Sequence, residues 1–148
     1  MKVNFFIVGG PRCGTSALAK YLSEHPDCGF SIPKEPWFFC NDFQTGYPDH
    51  LESLDEYHQK CFGHLRDGKY TAIGEASPIY LCSDVAAQNI LEYNSDARFI
   101  VMLRNPIDIV QSMHRGRVQH GPNHESLTNL KDAWAAQESR SSGAGLPF

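Results

Sequence analysis

The chain has 148 residues, 41% hydrophobic and 20% charged, which suits one globular domain with its own core. A formal net charge of −4 excludes a general nucleic-acid binder, which carries a strongly basic balance. Five cysteines and seven histidines are scattered without a CxxC pair, zinc-finger spacing or HExxH. That pattern predicts free thiols, no metal and a reducing, cytoplasmic setting, and with no apolar run of transmembrane length, no membrane partner.

In chain order, Val3–Val8 is rich in β-branched and aromatic residues and stops at Gly9-Gly10-Pro11, which predicts a short buried strand and a turn. Thr15 or Ser16 then caps a helix to about His25, closed by Pro26. Residues 27–50, with Pro33, Pro36 and Pro48, read as loop apart from a short strand near Cys28–Ile32. Ser53-Leu54-Asp55-Glu56 has the capping-box pattern and opens a helix to about Phe62. A strand over Tyr70–Gly74, a helix capped by Ser83 and running to about Tyr93, and a strand over Arg98–Leu103 come next. Asn105-Pro106 starts a helix that reaches His114 or further. A last helix spans about Thr128–Ser139, and 139–148 has the composition of a flexible tail on a single domain covering 1–148. Alternating strands and helices predict an α/β fold in three layers, a parallel sheet with flanking helices. Such sheets bind ligands at the carboxyl ends of their strands, so the turns after Val8, Gly74 and Leu103 belong to one rim.

The first of these turns carries the clearest chemistry. Gly9-Gly10-Pro11-Arg12-Cys13-Gly14-Thr15-Ser16 has the G-x-x-x-x-G spacing of a phosphate loop between a strand and a helix. Backbone N–H groups converge there at the positive end of a helix, which suits a phosphate or sulfate. Thr15 stands where an NTP-binding loop has lysine, and Arg104 rather than an aspartate follows the strand Arg98–Leu103. The loop has a phosphate-binding shape without the parts for ATP hydrolysis.

Pro-Arg-Cys-Gly-Thr-Ser-Ala-Leu (11–18) after an apolar strand resembles the 5′-phosphosulfate loop of sulfotransferases that use 3′-phosphoadenosine 5′-phosphosulfate (PAPS), of the carbohydrate and heparan-sulfate type. The resemblance implies a P-loop NTPase-like sulfotransferase fold. It also implies that Arg12, Cys13, Gly14, Thr15 and Ser16 hold the 5′-phosphosulfate. Lys34-Glu35-Pro36-Trp37-Phe38-Phe39 is similar to the Lys-Glu-x-x-Phe-Phe segment of the same family. By that likeness Glu35 is the general base for the acceptor hydroxyl or amine, and Lys34 lies near the sulfuryl group. A sugar hydroxyl needs such a base because it is a poor nucleophile. Arg104-Asn105-Pro106, with Ser112 eight positions after Arg104, resembles the 3′-phosphate segment. Gly74-Glu75-Ala76-Ser77-Pro78-x-Tyr80 resembles a segment that lines the acceptor side, with alanine where the family often has lysine.

Members of this family continue well past the corresponding end of this chain, so the resemblance implies a fold that lacks its C-terminal part. The expected activity is sulfuryl transfer from PAPS, as co-substrate and without a metal, to a hydroxyl or amine of a carbohydrate or other small molecule. A P-loop kinase or NTPase, and a non-catalytic nucleotide-binding domain left from an enzyme, are the competing readings.

Overall fold

The computed structural model describes residues 2–43, 51–119 and 125–142. The chain falls into two compact units, Met1–Leu103 and Arg104–Phe148.

The first unit is a four-stranded parallel sheet of β1 (Phe5–Gly9), β2 (Cys28–Phe30), β3 (Ala72–Ala76) and β4 (Arg98–Met102), in the order β2-β3-β1-β4. All five β1 residues are buried, as expected for a strand covered on both faces. Alternation along β1 divides the core. Phe6 and Val8 pack with Tyr57, Cys61 and Phe62 of α2 (Leu54–Phe62), and with Ala86 and Ile90 of α3 (Ala86–Tyr93). Phe5 and Ile7 face the other way, toward Ala19 of α1 (Thr15–Ser23) and Phe30. This is the expected three-layer arrangement, with α1 on one side and α2 and α3 on the other.

Two glycines allow the strands to approach. A Cβ on Gly9 would lie 2.3 Å from the Met102 carbonyl oxygen, and one on Gly74 2.1 Å from the Phe5 ring. Gly9 pairs with Met102 and Phe5 with Gly74, so the carboxyl ends of β1, β3 and β4 share one rim.

Several boundaries differ from expectation. β3 covers Ala72–Ala76 rather than Tyr70–Gly74, because the Asp27 carbonyl accepts the N–H groups of Thr71 (3.0 Å) and Ala72 (3.2 Å), and pairing with β2 starts at Ala72. Gly14, not Thr15 or Ser16, occupies the N-cap of α1, with φ 87° and no side-chain cap. Ser53 does cap α2, accepting the Glu56 N–H at 3.2 Å, while the Glu56 carboxylate accepts the Glu52 N–H at 2.7 Å. Ser83 accepts from Ala86 N–H at 2.9 Å, so it lies three residues ahead of the helix it caps. Ahead of it, Pro78–Cys82 forms a 3₁₀ turn that the sequence pattern did not indicate.

The second unit contains α4 (Pro106–Gln119), α5 (Leu130–Ala135) and α6 (Gln137–Ser141). Asn105 accepts the Ile107 N–H at 2.9 Å at the head of α4. The single helix expected over 128–139 is two, parted at Ala136, and its cap is Asn129. Glu125 and Arg140 form a two-point ion pair at 2.6 and 2.9 Å. That contact and the Leu127 N–H hold the Glu125 carboxyl low, at about 2. Residues 143–148 of the expected tail, and Pro48 of the expected loop, lie outside the described residues.

Candidate functional site

The rim of the first unit carries the phosphate loop. Gly10 N–H reaches back to the Met102 carbonyl at 3.3 Å, turning the chain away from β1 over the neighbouring strand. Arg12 adopts a left-handed φ of 61° and Gly14 one of 87°. Gly14 can take this conformation freely, and a Cβ there would meet nothing nearer than Met102 at 3.8 Å, so backbone conformation rather than space selects glycine. The turn sets down the first residues of α1, whose leading N–H groups have no partner within the helix. Arg12, Gly14 and Ser16 are exposed, whereas Cys13 and Thr15 are buried. Backbone donors, an arginine and one open hydroxyl therefore define the accessible chemistry.

The loop after β2 brings Lys34 and Glu35 together. The Lys34 ammonium donates to Glu35 Oε1, and the Trp37 indole N–H donates to Glu35 Oε2 at 3.3 Å. Both carboxylate oxygens are thus engaged, with the two side chains only 25% and 33% exposed. Glu35 and Trp37 are left-handed, with φ of 65° and 58°. An open groove of about 500 Å³ runs along this loop. It reaches from Ser16 and Lys34 past Lys20 to His64 and Tyr70, and Ser31 on its wall has a buried hydroxyl with no hydrogen-bond partner among the described residues. Ser16 of the glycine-rich turn and Lys34 of the loop after β2 open onto the same groove.

Glu75 and Ser77, expected on the acceptor side, are instead fully buried at 0% exposure. Side chains alternate along β3, so Glu75 shares a face with Ile73, toward the core under α2 and α3. Burial pushes its carboxyl up to about 8, an effect partly offset by the Tyr80 and Tyr57 hydroxyls. Among the described residues, neither Glu75 oxygen has a partner within the strict limits of hydrogen-bond geometry. Ser77 Oγ accepts the Trp37 N–H at 3.3 Å, and the Tyr80 hydroxyl accepts the Phe39 N–H at 3.2 Å. The Ser-Pro-x-Tyr spacing was visible in the sequence, but its attachment to the loop that carries Lys34 and Glu35 was not.

In the second unit Arg104 stands two residues before α4 and lies 3.9 Å from Asp108, a solvent-screened pair. Ser112 is half-buried in the second turn of α4.

A parallel sheet whose first strand ends in a glycine-rich turn with a left-handed helix cap is a fold of the P-loop type. The missing loop lysine sets it apart from the nucleotide-hydrolysing members. The Sulfotransferase family model matches residues 4–142, and the chain belongs to that family. A crystal structure of a sulfotransferase from Alicyclobacillus acidocaldarius superposes with a TM-score of 0.77 at 35% identity, covering 97% of this chain and 60% of the other. Membrane-associated sulfotransferase kil1 of Dictyostelium discoideum is 28% identical over 116 residues, 78% of this chain and 23% of the relative. Human heparan sulfate glucosamine 3-O-sulfotransferase 6 is 30% identical over 101 residues, 68% of this chain and 26% of the relative. The chain thus spans about a quarter of the length of these two relatives.

The kil1 match overturns the expectation of a cytoplasmic protein, since that relative is named as membrane-associated. No helix among the described residues is long and apolar enough to cross a membrane. Apolar run lengths within a folded α/β core carry no information about compartment, because targeting and anchoring segments, in proteins that have them, are separate from the core.

Proposed function

We propose that the chain is the donor-binding part of a PAPS-dependent sulfotransferase, transferring a sulfuryl group to a hydroxyl or amine of a carbohydrate acceptor. The observation that carries this reading is the glycine-rich loop itself: a left-handed glycine at the head of α1 with no side-chain cap, and an exposed Arg12, with threonine in place of the NTPase lysine. A sulfuryl group bears less negative charge than a phosphoryl group, so arginine and oriented amides suffice to stabilise it. On the motif resemblance, Cys13, Gly14, Thr15 and Ser16 complete the 5′ site, and Arg104 and Ser112 take the 3′-phosphate.

In this mechanism Glu35 accepts the proton of the acceptor O–H or N–H as the new bond to sulfur forms. The bond from sulfur to the phosphate oxygen breaks in line, and adenosine 3′,5′-bisphosphate leaves. Lys34, whose ammonium rests on Glu35 Oε1 in the free protein, swings to the sulfuryl oxygens when the donor binds, and this frees Oε1 to take the proton while Trp37 still holds Oε2. The groove lined by Ser16, Lys20 and Lys34 supports an acceptor that approaches beside the donor loop.

Calorimetric titration with adenosine 3′,5′-bisphosphate, with ATP and magnesium as the control, tests the donor assignment. Binding of the bisphosphate alone is expected. A folded chain that binds neither, or prefers ATP with magnesium, refutes it. Glu35→Gln tests the base: transfer should be nearly abolished with bisphosphate binding intact.

A further inference from the structure

We infer that Ser77 and Tyr80 are positioning residues for Glu35, acting through the backbone of the base loop; this rests on Glu35 being the base. Glu35 and Trp37 are two left-handed residues within three positions, with Pro36 between them and no glycine to relieve either. Backbone of this kind persists only where the surroundings over-determine it. The surroundings here are specific.

The N–H of Trp37 ends on Ser77 Oγ at 3.3 Å, and the N–H of Phe39 ends on the Tyr80 hydroxyl at 3.2 Å. Both acceptors leave the end of β3 in a single 3₁₀ turn, where residues three apart lie over one another. Ser77 is 0% and Tyr80 4% exposed, so water cannot take over either bond. The Phe39 carbonyl is held as well, accepting from the Asn89 side chain at 2.9 Å. Trp37, fixed in this way, aims its indole N–H at Glu35 Oε2. A connected path therefore runs from the sheet through Ser77 to the Trp37 backbone, and from the Trp37 ring to the carboxylate. Tyr80 fixes the far side of the same loop.

Ser77→Ala and Tyr80→Phe each delete one oxygen with little change of shape. Each should lower kcat roughly 10- to 100-fold, the scale of a misplaced reacting group, while leaving acceptor KM and bisphosphate affinity near wild type. Ser77→Thr, which returns the hydroxyl, should restore kcat. Amide exchange should report lost protection at Trp37 in the first variant and at Phe39 in the second. The decisive readout is coupling: placed on Glu35→Gln, Ser77→Ala should cost nothing further, because its effect passes through the carboxylate. Unchanged kcat, unchanged exchange, or full additivity with Glu35→Gln overturns the inference. A Glu35→Gln protein as active as wild type, or a wild type that transfers nothing, removes the base reading instead, and the inference with it.

Discussion

Replacing Glu75 by glutamine should stabilise the protein at neutral pH and leave it little changed in acid. The carboxyl is 0% exposed and is pushed by burial from 4.5 to about 8, the Tyr80 and Tyr57 hydroxyls offsetting only part of the effect. Below pH 4.5 it is protonated whether the chain is folded or not, and there is no penalty. Above that, the unfolded chain releases a proton that the folded one retains, so folding becomes less favourable as pH rises. The slope is at most about 1.4 kcal/mol per pH unit, and it levels off above the folded value. At pH 7 the accumulated cost is roughly 3 kcal/mol, a large part of the ~5–15 kcal/mol that holds most domains. Glutamine keeps the size and never ionises. Urea titrations of both proteins at about pH 5 and about pH 8 should show the stability difference widening by roughly 3 to 4 kcal/mol in favour of Glu75→Gln. Taking the difference removes the contribution of every other titrating group. Parallel profiles would refute the reasoning and mean that Glu75 ionises in the folded protein at its ordinary value.

Arg12→Ala should reduce kcat by about 10²- to 10³-fold, the scale of a lost charge-stabilising donor, with a much smaller effect on bisphosphate affinity; steady-state kinetics beside calorimetry separates the two, and an unchanged kcat takes Arg12 out of the mechanism. Gly9→Ala places a Cβ 2.3 Å from the Met102 carbonyl oxygen, so β1 and β4 must part. A loss of about 3 kcal/mol is expected from denaturant unfolding, the upper end of ordinary overpacking. Acidification should loosen the second unit late: with Glu125 held at about 2, its contribution is complete above 4.5 and disappears as pH falls through 2. Circular dichroism of Glu125→Gln should show helix loss already at neutral pH, and wild-type behaviour there would make the Arg140 contact incidental.

The phosphate loop was legible because everything that makes it is local: glycine spacing, hydroxyls, a preceding apolar strand and a following helix lie within about a dozen residues. The expected side-chain cap at Thr15 or Ser16 is absent because a glycine in the left-handed region can begin a helix without lending it an oxygen. Gly74 misled in the opposite direction. A glycine commonly marks a strand end, but here it lies mid-strand to admit the Phe5 ring. The burial of Glu75 was not legible at all, since a glutamate normally reads as exposed and the tyrosines around it come from α2 and the 3₁₀ turn. Ser77 and Trp37 are forty positions apart, so their contact exists only once β3 has been laid beside β1 and β2.

The position of β1 also has a consequence for synthesis. It leaves the ribosome ahead of β2, β3 and β4, yet its two neighbours are β3 and β4, and the later of these ends at Met102. At about 5–20 residues per second, the roughly 90 residues between Gly9 and Met102 take on the order of 5 to 20 seconds to translate. Helix α1 can form early from local contacts, but Phe5, Phe6 and Ile7 must wait for both of their strand neighbours. A pause in translation between β1 and β4 therefore lengthens the exposure of the most apolar strand in the sheet, and nascent-chain chaperones have most to cover during that interval.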